Sequence, residues 1–123
     1  VRFIGTFTNG KHFEGDYFNT DGLLVYSGSM NNSNRDGFGI SYFSNGNIEY
    51  KGDWNDGKYC THGELYNKNG TIIYEGGFSY GSYNGIGDKY DLAGQFMFKA
   101  RWNGGYIDKL MMTEEQKNLG YDV

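Results

Sequence analysis

The sequence predicts an all-β chain: an elongated single-layer antiparallel meander of stacked β-hairpins with a short C-terminal capping helix. Three observations predict it. Glycines recur every 24 residues in two columns, Gly15, Gly39, Gly63 and Gly87, then Gly22, Gly46, Gly70 and Gly94. Aromatic residues keep that interval at Phe18, Tyr42, Tyr66 and Tyr90 and at Tyr26, Tyr50, Tyr74 and Phe98. Asp21-Gly22, Asn45-Gly46 and Asn69-Gly70 each stand between segments of alternating aromatic and polar residues, and no helix-period stretch competes before the C-terminus. Fixed self-similarity at this length marks a repeat architecture, in which each unit buries its apolar side against its neighbours.

Composition agrees with such an array. The 123 residues are 37% hydrophobic, thin for a two-layer core, while 12 tyrosines, 21 glycines and no proline suit many tight turns in a hydrogen-bonded sheet. Much of the packing must come from large rings that keep a polar edge. A net charge of −4 and a pI near 5.0 give no long-range attraction to nucleic acid, which is excluded as a partner class. Cys60 stands alone and there are two histidines, so neither an intrachain disulfide nor a four-ligand zinc site can be built; no metal and no cofactor are expected. That cysteine usage favours a reducing compartment and a cytoplasmic location. No apolar run approaches the roughly 20 residues of a membrane helix. The chain enters at Val1 directly on a patterned segment, so it reads as a fragment of a longer protein.

In chain order, the Asp-Gly and Asn-Gly pairs predict two-residue type I′ hairpin turns, with Ala93-Gly94 departing from the pattern. Other connections are expected near Asn9-Gly10, Asn31 to Asp36, Asn55-Asp56-Gly57 and Tyr80-Gly81, giving nine or ten strands. Counting outward from Asn45-Gly46 pairs Phe43 with Ile48, Ser41 with Tyr50, Gly39 with Gly52 and Gly37 with Trp54. These share one face; Tyr42, Glu49, Lys51 and Asp53 share the other. The same counting sets Trp102 against Gly85, Phe13 against Met30 and Thr61 against Phe78, so size is conserved across each pair. The slots opposite glycine are expected to hold the indoles flat. On the second face, Phe18 is expected against Val25, Tyr66 against Ile73 and Tyr90 against Met97. From Leu110 the repeat breaks: Thr113 as N-cap, Gln116 completing a capping box and Gly120 at the end predict a short helix. The domains are thus a repeat array over 1–107 and a cap or linker helix over 108–123.

The stretch from Tyr50 through Gly52, Asp53, Trp54, Asp56 and Gly57 to Gly63 resembles a MORN repeat. So does Tyr74-Glu75-Gly76-Gly77-Phe78 followed by Gly85-Ile86-Gly87. Tyr26-Ser27-Gly28 with Gly37-Phe38-Gly39, and Phe3-Ile4-Gly5-Thr6-Phe7, are further copies, about four and a half in all. Departures are Ala100 in place of glycine, Phe13 and Thr61 in place of the first glycine of the Gly-x-Gly pair, and Met30 in place of the aromatic. The resemblance implies a twisted single-layer sheet with an aromatic-lined groove. It also implies a scaffold or targeting module in cytoskeletal, ciliary, junctional or membrane-associated assemblies, often joined to enzymes or binding another protein's helix.

Catalytic chemistry has little to stand on. Cys60, Thr61 and His62 are neighbours on one strand and cannot readily align a thiolate with an imidazole. Asp53, Asp56, Glu64, Glu75 and Asp88 are scattered over strands and turns, and the Gly-x-Gly pairs lack the following helix and lysine of a phosphate loop. A non-enzymatic interaction module is therefore expected, binding a helix or extended segment of a protein partner through a groove of Tyr26, Tyr50, Trp54, Tyr74, Phe78 and Trp102. Alternatives are a membrane-lipid adaptor, an accessory domain of a larger enzyme, and a homodimer formed through an open sheet edge or the C-terminal helix.

Overall fold

The computed structural model describes residues 2–8 and 10–120; Asn9 of the expected first connection and residues 121–123 of the C-terminal segment lie outside the described residues. One antiparallel sheet of ten strands follows sequence order. Its strands are β1 (Arg2–Thr8), β2 (His12–Phe18), β3 (Leu24–Asn31), β4 (Asn34–Tyr42), β5 (Ile48–Asn55), β6 (Lys58–Tyr66), β7 (Ile72–Ser79), β8 (Ser82–Tyr90), β9 (Phe96–Asn103) and β10 (Tyr106–Met111). The helix α1 (Glu114–Asn118) follows, with the Thr113 and Gln116 capping box in place. β10 runs past the expected boundary at 107, and no residue of α1 is buried, so the helix is not packed as a lid over the sheet.

The Asp-Gly and Asn-Gly turns are not type I′. In the hairpin at Asn45-Gly46, the Gly46 N–H donates to the Phe43 carbonyl at 3.0 Å and the Phe43 N–H to the Asn47 carbonyl at 2.8 Å. This is a three-residue loop: a type I turn closed by a glycine with positive φ, here 91°. Only the glycine needs the left-handed conformation, so the residue before it is unrestricted. That is why Ala93-Gly94, expected to differ, turns in the same way, with Gly94 donating to Asp91 at 3.0 Å. Asn19, Asn67 and Asp91 open their turns by accepting backbone N–H bonds on Oδ1.

Type I′ geometry belongs to the opposite tips: Asn32-Ser33, Asp56-Gly57, Tyr80-Gly81 and Gly104-Gly105 all have positive φ at both positions.

The three-residue loop offsets the pairing by one, giving Tyr42 opposite Ile48 rather than Phe43, and a bulge beside Ser41 restores it. Gly37 therefore faces Trp54 and Ser41 faces Tyr50, as counted from a simpler turn. The expected pairs Phe13 with Met30, Thr61 with Phe78 and Gly85 with Trp102 also form. On the second face the pairs shift by one, to Phe18 with Leu24, Tyr66 with Ile72 and Tyr90 with Phe96.

A row of glycines crosses the sheet in register: Gly5, Gly15, Gly28, Gly39, Gly52, Gly63, Gly76 and Gly87 face one another on successive strands, with Ala100 next. Tyrosines, not tryptophans, fill the space above this row. Tyr26 lies over the Gly28 and Gly39 pair, Tyr50 over Gly52 and Gly63, and Tyr74 over Gly76 and Gly87; a Cβ on Gly39, Gly63 or Gly87 would overlap the covering ring. Each hydroxyl then donates back to its own strand, to Ser29 O at 2.7 Å, Asp53 O at 2.9 Å and Gly77 O at 2.9 Å. The indoles of Trp54 and Trp102 meet these rings edge-on and donate Nε1–H to the Gly39 and Gly87 carbonyls at 3.1 and 3.3 Å. Tyr59 and Tyr83 stack on Tyr50 and Tyr74 with centroids 3.8 Å apart. Arg35 takes the same place over Tyr26 at 5.0 Å. Rings lying down over glycines, covered by rings of the next repeat, give this single sheet its core.

Candidate functional site

The six residues expected to line an open groove, Tyr26, Tyr50, Trp54, Tyr74, Phe78 and Trp102, are all buried. The expectation of accessible rings is corrected, and the reason is the glycine row. Without Cβ atoms beneath them the rings drop onto the backbone, and neighbouring repeats seal them. Their chemistry reflects that burial. The hydroxyls of Tyr26, Tyr50 and Tyr74 have their pKa raised, first by desolvation, while burial and then the Glu49 charge push Tyr59 up to about 12.

The tempting Cys60-Thr61-His62 cluster is also taken apart. The Thr61 hydroxyl points to Cys60 Sγ at 3.7 Å, whereas His62 turns toward Glu75 on the other face, Nε2 to Oε2 3.9 Å. That face carries a row of charge across β5 to β9, with Lys51, Glu64, Glu75, Asp88 and Lys99 opposite one another in sequence. Three carboxylates in adjacent strands repel one another, and Lys99 relieves one end by meeting Asp88 Oδ1 at 3.0 Å.

The surface feature with a built shape lies elsewhere, between the type I′ tips. Each of the four tips is stapled to the preceding repeat by one backbone bond: Asn32 N–H to Lys11 O at 2.8 Å, Gly57 N–H to Arg35 O at 2.8 Å, Gly81 N–H to Tyr59 O at 3.0 Å and Gly105 N–H to Tyr83 O at 2.9 Å. Two of these junctions gain side-chain ties. Asn34 donates to Asp56 at 2.6 Å and Asp36 accepts from the Asp56 N–H at 3.3 Å; Asn84 accepts from the Gly104 N–H at 3.3 Å. Cys60 occupies the position of Asp36 and Asn84 in the middle repeat. A thiol is a weak acceptor, and among the described residues the Tyr80 N–H has no side-chain partner there.

At this junction, tied by the Gly81 to Tyr59 backbone bond, a groove of about 580 Å³ opens between the β5–β6 and β7–β8 tips. Tyr59 and Phe78 line it, with Asn55, Lys58, Asn84 and Tyr80 around them. Two residues of the groove hold conformations that their side chains disfavour. Thr61 has φ 58°, at a bulge position where the other repeats place Gly37 and Gly85 at 94° and 82°. Tyr80 has φ 50°, where the other tips place Asn32, Asp56 and Gly104, and it is 84% exposed. A β-branched or bulky side chain at positive φ is strained, and such strain gathers at functional sites.

Neither a protein-family model nor a curated protein matches this sequence. The functional reading therefore rests on the geometry and the repeat pattern. Sequence reasoning placed Tyr80-Gly81 in a connection but passed over the side chain. The available signal was a tyrosine in the repeat column otherwise filled by Asn32, Asp56 and Gly104. No helix among the described residues is long and apolar enough to cross a membrane.

Proposed function

We propose that this chain is a non-enzymatic protein-interaction module of the MORN type that seats an extended partner segment in the groove between the β5–β6 and β7–β8 tips. The observation that carries the reading is Tyr80, a large ring held at φ 50° and 84% exposed where neither turn geometry nor packing asks for one. Exposed tyrosines presented on rigid turns are frequent anchors of protein interfaces, because they offer contact area with little side-chain entropy to lose. Tyr80 and Tyr59 flank the seat for an apolar side chain above Phe78. The Asn55 amide and the Nδ2 donors of Asn84 can bond an extended partner backbone, and Asp56 and Lys58 offer charges of either sign at one end. The repeats below hold these groups in place. In a cytoskeletal or membrane-associated assembly, the role the MORN resemblance implies, such a module would fix a partner's position. The acidic row on the second face works against an anionic lipid surface.

A random peptide display library panned against the chain tests this. Enriched peptides are expected to lose at least tenfold in affinity on Tyr80→Gly, while that variant unfolds at higher temperature because glycine relieves the turn. Cys60→Asn supplies the missing acceptor for the Tyr80 N–H; it should narrow the groove, weaken the same peptides and stabilise the fold by about 0.5–1.5 kcal/mol. Peptides that bind all three proteins equally would refute the groove. Flotation with anionic vesicles in the absence of any enriched peptide would favour the lipid-adaptor reading instead.

A further inference from the structure

We infer that the notch between the β2–β3 and β4–β5 loops receives an arginine side chain of a protein partner. This contact lies at the end of the hairpins opposite the Tyr80 groove, and it stands or falls independently of that groove. The three-residue loops lock onto one another along the array. Asn45 and Asn47 both donate from Nδ2 to the Lys68 carbonyl, at 2.8 and 2.9 Å. The Thr71 hydroxyl and Asn67 Nδ2 donate to the Leu92 carbonyl at 3.2 and 3.5 Å. Each lock is thus a backbone carbonyl met by side-chain donors from the loop before it.

The junction between the first two of these loops is built from residues that cannot donate. One interval earlier the carbonyl belongs to Ser44, and Asp21 and Leu23 hold the positions of Asn45 and Asn47. An ionised carboxylate only accepts, and leucine has no polar atom. Asn19 turns its Oδ1 to its own loop, accepting the Asp21 and Leu23 N–H at 2.9 and 3.1 Å. The spacing of the loops reflects the difference. A Cβ at Gly70 would lie 3.7 Å from the Asn47 amide and one at Gly94 3.4 Å from Thr71 Cβ, but one at Gly46 would meet no atom within 4 Å. A notch of about 300 Å³ opens there, walled by Leu23, Leu24, Tyr42 and Phe43 with Ser44 at its side.

Its chemistry calls for a cation on an apolar stem. Ser44 O is an acceptor, and Asp21 stands where Asn45 reaches across to the next carbonyl; among the described residues Asp21 enters no ion pair. A second negative charge is felt at the wall, since burial and then the Asp16 carboxylate raise the pKa of Tyr42. Leu23, 44% exposed, offers its apolar surface to methylene groups. A guanidinium supplies several N–H donors in a fixed fork, so one arm serves the carbonyl and another the carboxylate while the stem lies on Leu23 and Phe43. The partner's arginine then completes the lock that Asn45 and Asn47 make one repeat later.

Heteronuclear NMR of the full chain, titrated with N-acetyl-argininamide and with its neutral isostere N-acetyl-citrullinamide, tests the inference. Saturable shifts of the Leu23 and Leu24 methyls and the Gly46 amide are expected with the arginine compound and not with citrulline. Asp21→Ala, a change the turn accepts because Ala93 holds the same repeat position, should weaken this binding roughly three- to fivefold. Leu23→Asn should restore the donor to Ser44 O, abolish the shifts and raise the unfolding temperature. Tyr80→Gly should bind the arginine compound as the unaltered chain does, so loss of the tip groove and loss of the notch are read separately. Equal shifts with citrulline, undiminished binding by Leu23→Asn, or shifts confined to the Glu64 and Glu75 row would overturn the inference.

Discussion

Replacing Gly63 by alanine should destabilise the fold, although at an ordinary strand position the same change would help. Alanine in place of glycine restricts the unfolded chain and should contribute about 0.5–1 kcal/mol of stability. At Gly63 the new methyl enters the space of the Tyr50 hydroxyl and ring edge. Tyr50 has nowhere to go: it is fully buried, stacked on Tyr59 at 3.8 Å, met edge-on by Trp54 and Phe78 at 5.1 and 5.3 Å, and tied to Asp53 O at 2.9 Å. Overfilling a packed site costs about 1–3 kcal/mol and loss of the hydroxyl bond about 1 kcal/mol more. The net expectation is a loss of roughly 1–3 kcal/mol, which lowers the urea midpoint by about 1 M for a domain of this size. Urea unfolding followed by tryptophan fluorescence reads it, since Trp54 and Trp102 pack on this row. In a Tyr50→Leu background most of the penalty should vanish, because the shorter side chain leaves the slot open. A neutral or stabilising Gly63→Ala, or an equal penalty in both backgrounds, would refute the account of the glycine row.

Thr61→Gly should stabilise by roughly 0.5–1 kcal/mol, the difference between relieving a left-handed β-branched residue and the entropy of an added glycine, measurable as a raised thermal midpoint. The reverse change, Gly85→Thr, should lose a similar amount, since a Cβ there meets no atom and only the backbone at φ 82° is strained. The fold should also be sensitive to alkali. A tyrosine whose pKa is raised on folding keeps its proton in the native state where the unfolded chain has lost it. Stability is then full below the unfolded value near pH 10 and falls as pH rises through the folded values. Burial raises Tyr26, Tyr50 and Tyr74, and pushes Tyr59 and Tyr66 up to about 12, so tyrosinate absorbance from these rings should appear together with loss of circular dichroism. Ionisation complete while the sheet remains intact would contradict the burial of these rings.

Much of the fold was legible because its determinants are local. Glycine at a fixed interval places each turn, and alternation along a strand assigns faces whether or not the turn type is known. The pairing of Gly37 with Trp54 survived a wrong turn assignment because the bulge beside Ser41 compensates the longer loop. Thr113 and Gln116 announced α1 through hydrogen bonds within four residues. The candidate site was less legible. Tyr80 looks like any loop tyrosine until its φ is known, and the Asp36, Cys60 and Asn84 column gains meaning only once the structure shows its first and last members accepting backbone bonds from the next tip.

By itself, then, the sequence determined the repeat, the strand order, the register along the glycine row and the ring and glycine columns, since these depend on spacing along one chain. The bulges that shift the pairs beside each three-residue loop came from the structure. Only the tertiary structure decided that the rings of Tyr26, Tyr50 and Tyr74 close over the glycines and leave solvent. It also decided that a groove opens between the β5–β6 and β7–β8 tips. The physical reason is the same in both cases. Burial and closure depend on what the next repeat places across a gap of a few ångströms, and a periodic pattern records the columns without recording how far each side chain lies down upon its neighbour.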